Sequence, residues 1–284
     1  MINIWAKTLP ELEDILVRGG FQKFRAKQLR DYLYKRFVFD FSEMKQLPAN
    51  LREWLSDNVV IDKPEIVKEQ KSDDKDTTKL LLRLDDGSFI ETVCMHHVYG
   101  NSICVSTQVG CAMGCVFCAS TQKGLERNLT AGEMLAQMFA FREVFDAPIH
   151  SLVLMGSGEP LQNYEEVLRF MRLCHDPELL NISYRNMTLS TCGIVPHIYR
   201  LADEGLPVTL AISLHAPNDE IRNRILPSSR AFPIEDVIKA ARYYFKKTGR
   251  RVTFEYILIK DVNSSLENAE ELHRLLGDLN CHIN

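Results

Sequence analysis

Gly110-Cys111-Ala112-Met113-Gly114-Cys115-Val116-Phe117-Cys118 sets three cysteines in a C-x3-C-x2-C spacing on one short loop. Thiolates so close in sequence can each bind one iron of a cubane, which leaves a fourth iron without a protein ligand and open to a small molecule. A ferredoxin site needs a fourth cysteine. A structural zinc favours two C-x2-C pairs or a histidine at suitable spacing, and neither accompanies this loop. The reading is therefore one [4Fe–4S] cluster on Cys111, Cys115 and Cys118, with a zinc site or merely buried thiols as the plain alternatives.

Downstream of the loop the pattern alternates. Short apolar runs at 150–155, 186–190, 207–214 and 251–259 read as strands, separated by helical periodicity at 130–145, 163–175, 195–204 and 233–248. Thr130 and Glu133 have capping-box spacing and set the start of the first of those helices. Apolar strands alternating with helices predict a parallel sheet covered by helices, a full or partial (β/α) barrel with its site at the strand C-terminal ends. Upstream, 77–84, the Asp85-Asp86-Gly87 turn and 89–97 read as a β-hairpin leading into a strand at 102–108. Further upstream, Leu12, Ile15 and Leu16 precede a Gly19-Gly20 stop, and Leu29, Tyr32 and Leu33 mark a second short helix. The expected organisation is an α/β fold: a helical accessory domain at 1–60, a β-hairpin extension at 61–97, and a partial (β/α)6 core at 98–284. Residues 279–284 read as a strand just beginning, so a C-terminally truncated chain is expected.

Of 284 residues, 45% are apolar and 25% charged, which suffices for one large core and a small second domain. No window approaches the roughly 18 apolar residues of a membrane span, and Glu11 and Asp14 interrupt the first apolar stretch, so neither a span nor a signal peptide is read and the cytoplasm is expected. Eight cysteines in so long a chain do not suggest a secreted disulfide framework. A net charge of −4 and a pI near 6.1 exclude a protein that coats nucleic acid non-specifically. Two basic clusters remain as possible phosphate contacts: Lys23, Arg25, Lys27, Arg30, Lys35 and Arg36, and Lys246, Lys247, Arg250 and Arg251. Otherwise they are a solvated helix face and a helix C-terminus.

One strand after the cysteine loop comes Met155-Gly156-Ser157-Gly158-Glu159-Pro160. The spacing is not G-x-G-x-x-G, and Pro160 intervenes before the next helix, so a dinucleotide loop is a weak reading. Backbone carbonyls exposed by the glycines can instead accept hydrogen bonds from an ammonium group. Together the cysteine loop and this G-x-G-E-P turn resemble the radical S-adenosylmethionine superfamily. Val105-Ser106-Thr107-Gln108-Val109-Gly110-Cys111, residues 156–161, Leu189-Ser190-Thr191 and Ile212-Ser213-Leu214-His215-Ala216 narrow the resemblance to the RlmN/Cfr family of RNA adenine methyltransferases, over nearly the whole chain. Pro160 resembles the RlmN branch, which methylates carbon 2 of adenine, where the Cfr branch, acting at carbon 8, usually has alanine. Ser157 departs from a common methionine.

What the resemblance implies is specific. Cys111, Cys115 and Cys118 would ligate the cluster; Gly158, Glu159, Ser190, Ser213, Leu214 and His215 would bind S-adenosyl-L-methionine. Glu91 would be the proton acceptor and Cys104 the thiol that resolves a protein–RNA adduct through a transient disulfide bond. Carbon 2 of adenine is electron-poor, so a polar methyl transfer to it is unfavourable; in this family a 5′-deoxyadenosyl radical activates a methyl group carried on a cysteine. That methyl-carrying cysteine lies beyond the last barrel strand, where Cys281 comes too early, and an asparagine contact to the cofactor has no counterpart either. The chain is thus expected to bind the cluster and cleave S-adenosylmethionine without methylating RNA. The implied partners are 23S rRNA and tRNA and a flavodoxin- or ferredoxin-type electron donor, with no membrane and a monomeric state. Without the resemblance, Glu91 would be an ordinary exposed carboxylate, Ser190 and Ser213 ordinary strand-end hydroxyls, His215 a cap or core filler, and Cys104, like Cys174 and Cys192, a small hydrophobe. The competing functions are another radical S-adenosylmethionine activase or maturase, and an RNA-binding module with a structural cluster.

Overall fold

A computed structural model describes residues 1–61, 63–145 and 148–284; Asp62 of the 61–97 stretch, and Asp146 and Ala147 of the βα region, lie outside the described residues. The chain begins with β1 (Ile2–Asn3), α1 (Leu9–Arg18), α2 (Arg25–Tyr34), α3 (Ala49–Asn58) and β2 (Val59–Val60), and β1 pairs in parallel with β2. Thr8 caps α1 in a reciprocal box with Glu11, and Leu12 and Leu16 at i, i+4 are fully buried.

Next come β3 (Glu65–Lys71), β4 (Thr77–Arg83), β5 (Phe89–His97) and β6 (Gly100–Cys104), then a small antiparallel pair of β7 (Gln108–Gly110) and β8 (Leu125–Asn128) that holds the cysteine loop between its strands. The βα units follow as α4 (Ala131–Val144), β9 (Ile149–Leu154), α5 (Tyr164–His175), β10 (Met187–Thr191), α6 (Val195–Asp203), β11 (Thr209–Ser213), α7 (Asp219–Ile225), α8 (Ile234–Thr248), β12 (Val252–Glu255), α9 (Leu266–Leu276) and β13 (Cys281–Ile283). One nine-stranded sheet runs β13-β12-β11-β10-β9-β6-β5-β4-β3. Its six strands from β13 to β6 are mutually parallel and its last three antiparallel. Since β13 and β3 form its two edges, the barrel is partial, as expected from the alternation.

The Thr130–Glu133 capping box is present as read. The reading of 102–108 as one strand is corrected: β6 stops at Cys104 because the Ser106 side chain and amide turn away, its hydroxyl donating to the Glu91 carbonyl (2.6 Å) and its N–H to Gln137 Oε1 (2.9 Å). Likewise β12 ends at Glu255, since the Ile257 N–H leaves the ladder for the His215 ring (3.1 Å). The local sequence pattern does not mark the edge strand β3 or helices α7 and α9.

The basic cluster around α2 is partly paired with acids, while Lys27 stays exposed. Arg30, with its side chain 5% exposed, pairs with Asp176; Lys35 pairs with Glu178 (3.0 Å), Lys23 with Glu13 (3.0 Å) and Arg36 with Asp31 (2.7 Å). Trp5 completes this docking by stacking on Tyr34 (5.5 Å) and meeting Phe139 of α4 (4.7 Å). In the second cluster Lys247 pairs with Asp203 (3.1 Å) and Arg250 bonds Thr209 Oγ1 (2.9 Å). Among the described residues no helix is long and apolar enough to cross a membrane.

Candidate active site

The cysteine loop is fastened at its base before any ligand is considered. Gly110 adopts φ +73°, and a Cβ there would lie 2.0 Å from the Gly124 carbonyl oxygen, the same oxygen that accepts from the Cys111 N–H (3.0 Å). Further along, the Gly114 N–H donates to Thr121 Oγ1 (2.9 Å), the Cys118 N–H to the Cys115 carbonyl (3.1 Å) and the Val116 N–H to the Ile225 carbonyl (3.0 Å). The Phe117 ring meets His215 edge-on at 5.0 Å. These bonds turn all three cysteines toward one cavity of about 310 Å³ at the C-terminal ends of the parallel strands. Burial pushes the Cys115 thiol up to about 12, the neighbouring Cys118 and Cys111 adding to it, and burial raises Cys111 in the same direction. Such thiols ionise readily only against a cation, as metal ligation provides.

Across the cavity stand Met155, Gly158, Glu159 and Pro160 after β9, Ser190 at the end of β10, Ser213 at the end of β11, and His215. Gly158 has φ +108°, and a Cβ there would come within 2.6 Å of the Gln108 side chain, so only glycine lets this turn close on the first strand's continuation. Glu159 is almost fully buried. Its carboxylate accepts the Cys192 N–H (2.7 Å) and the Leu161 N–H (3.0 Å), and its own amide donates to Gln108 Oε1 (2.9 Å). Burial raises its pKa while these donors oppose the rise. Glu159 thus braces the turn with its carboxyl and offers the cavity mainly the turn's backbone.

His215 takes a left-handed backbone, φ +57°, that a residue with a side chain adopts only under constraint. Three bonds supply the constraint: its N–H donates to the Glu255 carbonyl (3.1 Å), its carbonyl accepts from Asn263 Nδ2 (2.7 Å), and its Nδ1 accepts from the Ile257 N–H (3.1 Å). Burial, and then the Arg222 charge, lower its pKa to about 4, so the ring is neutral at pH 7. With Nδ1 accepting, the proton is assigned to Nε2, a donor available at the cavity wall.

The Leu214 side chain is fully buried and is not part of the cavity lining. Glu91 and Cys104 also lie outside the cavity lining, yet close to each other by register. Val93 faces Cys104 across β5 and β6, and Glu91 shares the face of Val93 because side chains alternate. On β6 the other neighbour of Cys104 is Val153 of β9, and the Met155 amide approaches its sulfur; burial nevertheless raises this thiol to about 11. Glu91 is half exposed and pairs with Lys79 (2.9 Å).

All eight cysteines are free, so no disulfide stands in the chain, and Cys104 faces valines across both neighbouring strands. One sequence reading of the cysteines is corrected: Cys192 is no core filler. It lines the cavity, its Sγ 3.1 Å from Met113 Sδ, whereas Cys174 is buried beside Met138 as a hydrophobe would be. Glu255, Asn263 and Arg222 were missed altogether. Nothing in their local spacing marks them; only the strand-end position of Glu255 was a usable signal.

A partial parallel barrel with a three-cysteine loop above its first strand and a glycine turn above its second defines a radical S-adenosylmethionine enzyme. Residues 105–276 match the Radical SAM superfamily, and residues 2–61 match the Ribosomal RNA large subunit methyltransferase N-terminal domain. The chain is 50% identical over 285 residues to a probable dual-specificity RNA methyltransferase RlmN of Clostridium novyi, covering 100% of this chain and 83% of that protein. It is 52% identical over 279 residues to the protein of the same description from Symbiobacterium thermophilum, covering 98% of this chain and 75% of that one. The crystal structure of a radical SAM methyltransferase from Sphaerobacter thermophilus superposes with a TM-score of 0.95 at 46% identity, over 100% of this chain and 84% of that chain. The chain belongs to the RlmN family of radical S-adenosylmethionine methyltransferases.

Proposed function

We propose that the reaction this site serves is methylation of carbon 2 of adenine in RNA, with 23S rRNA and tRNA as substrates, using one [4Fe–4S] cluster and S-adenosyl-L-methionine; residues 1–284 carry the cluster and cofactor part of it and hold no counterpart of the methyl-carrying cysteine. The observation that carries the reading is the convergence of Cys111, Cys115 and Cys118 with the Gly158–Glu159 turn, Ser190, Ser213 and His215 on one cavity at the strand ends. The donor set fits the cluster. Three thiols of one short loop line one cavity, and three protein sulfurs leave a fourth iron of a cubane open to a small molecule. When bound, the cluster supplies an electron to S-adenosylmethionine, whose cleavage yields a radical able to take a hydrogen atom from a methyl group.

The chain's residues would then divide the work. Backbone carbonyls of the Gly158 turn accept the methionyl ammonium, the Ser190 and Ser213 hydroxyls bond its polar groups, and neutral His215 donates from Nε2. Glu91 would accept the proton that leaves the ring, and the Cys104 thiolate would attack the sulfur of the methyl-carrying cysteine, which has no counterpart in residues 1–284, forming a disulfide as the carbon–sulfur bond to the RNA breaks. Pro160, which the sequence shares with the carbon-2 branch, supports that position over carbon 8. Relatives described as dual-specificity RNA methyltransferases support RNA as the substrate.

The test is anaerobic reconstitution with iron and sulfide, then assay of 5′-deoxyadenosine formed with dithionite, comparing the wild type with Cys115→Ala. We expect product from the wild type only; a loaded cluster that leaves S-adenosylmethionine intact would overturn the assignment. Mass spectrometry of RNA for 2-methyladenosine against 8-methyladenosine, after treatment with a form of the enzyme that carries the methyl-bearing cysteine, decides the ring position.

A further inference from the structure

We infer that Arg222 is the buried counter-charge of the cysteine loop and sets how readily a cluster held there accepts an electron. The inference rests on reading Cys111, Cys115 and Cys118 as cluster ligands.

Arg222 has no solvent-exposed surface. A guanidinium there is strongly disfavoured unless something compensates its charge. Its hydrogen bonds go to neutral carbonyls, Cys192 (2.6 Å) and Phe232 (3.3 Å), and its Nε has no partner. Among the described residues it forms no ion pair. Asp219, one turn earlier on α7, turns its Oδ1 to the Ile234 N–H (2.9 Å). Beyond Asp219, the ionisable groups coupled to the guanidinium are Cys192, Cys115 and the His215 ring, all three at the cavity.

The geometry holds the charge there. Gly193, at φ +103°, makes room for it: a Cβ would approach Arg222 Nη2 to 3.1 Å. The C-terminal end of α7 is bolted to the loop by the bond from Val116 N–H to the Ile225 carbonyl (3.0 Å), and Cys115 packs against Ile225, Leu226 and Ala216. Three thiolates give a bound cluster a net negative charge, and reduction adds one more. A fixed cation behind the loop favours that last step, because net charge and surroundings set cluster potentials. Arg222 is thus a positioning residue acting through the loop, not a ligand.

The experiment is a dithionite titration of the reconstituted chain, without S-adenosylmethionine, followed by electron paramagnetic resonance of the reduced cluster. Arg222→Gln and Arg222→Met should load iron and sulfide yet take up the electron with an equilibrium constant about tenfold lower, a shift of about 59 mV for a one-electron couple. Arg222→Lys keeps the charge and should titrate as the wild type while melting as early as Arg222→Gln, having lost the fork to the two carbonyls. Methionine fills similar volume without an unmet polar group, so it serves where glutamine does not fold. A wild-type midpoint in either neutral variant, or a tenfold loss in Arg222→Lys, overturns the inference. A wild type that loads no cluster overturns the reading beneath it as well.

Discussion

The N-terminal helical module and the barrel mouth both carry many charged residues, and they treat them in opposite ways. On the module, Lys23, Lys35 and Arg36 meet acids at the surface, where each pair exchanges hydration for a similar gain and changes stability little. At the mouth, Glu159 and Arg222 are buried and bonded to backbone groups, so removing either leaves dipoles or charges without water. Arg30 is the exception on the module: buried, paired to Asp176 on the far side of the sequence, it behaves like a residue of the mouth. Burial, more than charge, separates the two regions.

The comparison can be broken most severely at the Gly158 turn. Gly158→Ala adds a Cβ 2.6 Å from Gln108 on a backbone that only glycine adopts readily, so the turn must shift. We expect at least about a tenfold loss of S-adenosylmethionine affinity, some 1.4 kcal/mol, by equilibrium binding to the reconstituted protein. Affinity within a factor of two of the wild type would show that the turn does not shape the cavity.

Asp176→Ala tests the exception, because it strands Arg30 in a buried position. Denaturant unfolding should show a loss of about 3 kcal/mol. A loss as small as that at an exposed pair would put Arg30 back among the surface charges.

Glu11 sharpens the contrast through pH. Burial alone would raise its pKa, but bonds from Arg169 and from Thr8 outweigh that and lower it to about 2 against an ordinary 4.5. A folded pKa below the unfolded one contributes stability above about 4.5 that is lost as pH falls toward 2. Glu11→Gln should therefore melt earlier than the wild type at pH 6, with the gap closing between pH 4.5 and 2. Since this carboxylate is partly exposed, salt should narrow the gap too. Melting curves that stay parallel across that range would contradict the assignment.

The smallest effect belongs to Lys35→Ala, which breaks an exposed pair with Glu178. Its melting midpoint should match the wild type within error. A measurable fall would mean that the module's edge depends on this contact.

The cysteine loop, the glycine turn, the strand and helix alternation and the Thr130 cap were legible in the chain because each rests on residues a few positions apart, where spacing alone dictates geometry. The resemblance of those motifs carried the expected placement of Ser190, Ser213 and His215 at strand ends. Other features depend on contacts between distant residues that no local period records. Arg30 finds Asp176 across 146 positions, which converts a possible phosphate contact into a docking pair. Asn263 reaches back 48 positions to hold His215 in its left-handed turn. Leu214 points into the core and Cys192 into the cavity because strand register and loop path assign each side chain its face. The sequence by itself determined which chemistry the loop can support. Tertiary structure alone decided which charges are paired, which are buried, and that Arg222 lies behind the loop, since burial and pairing are properties of the packed chain and not of any one segment of it.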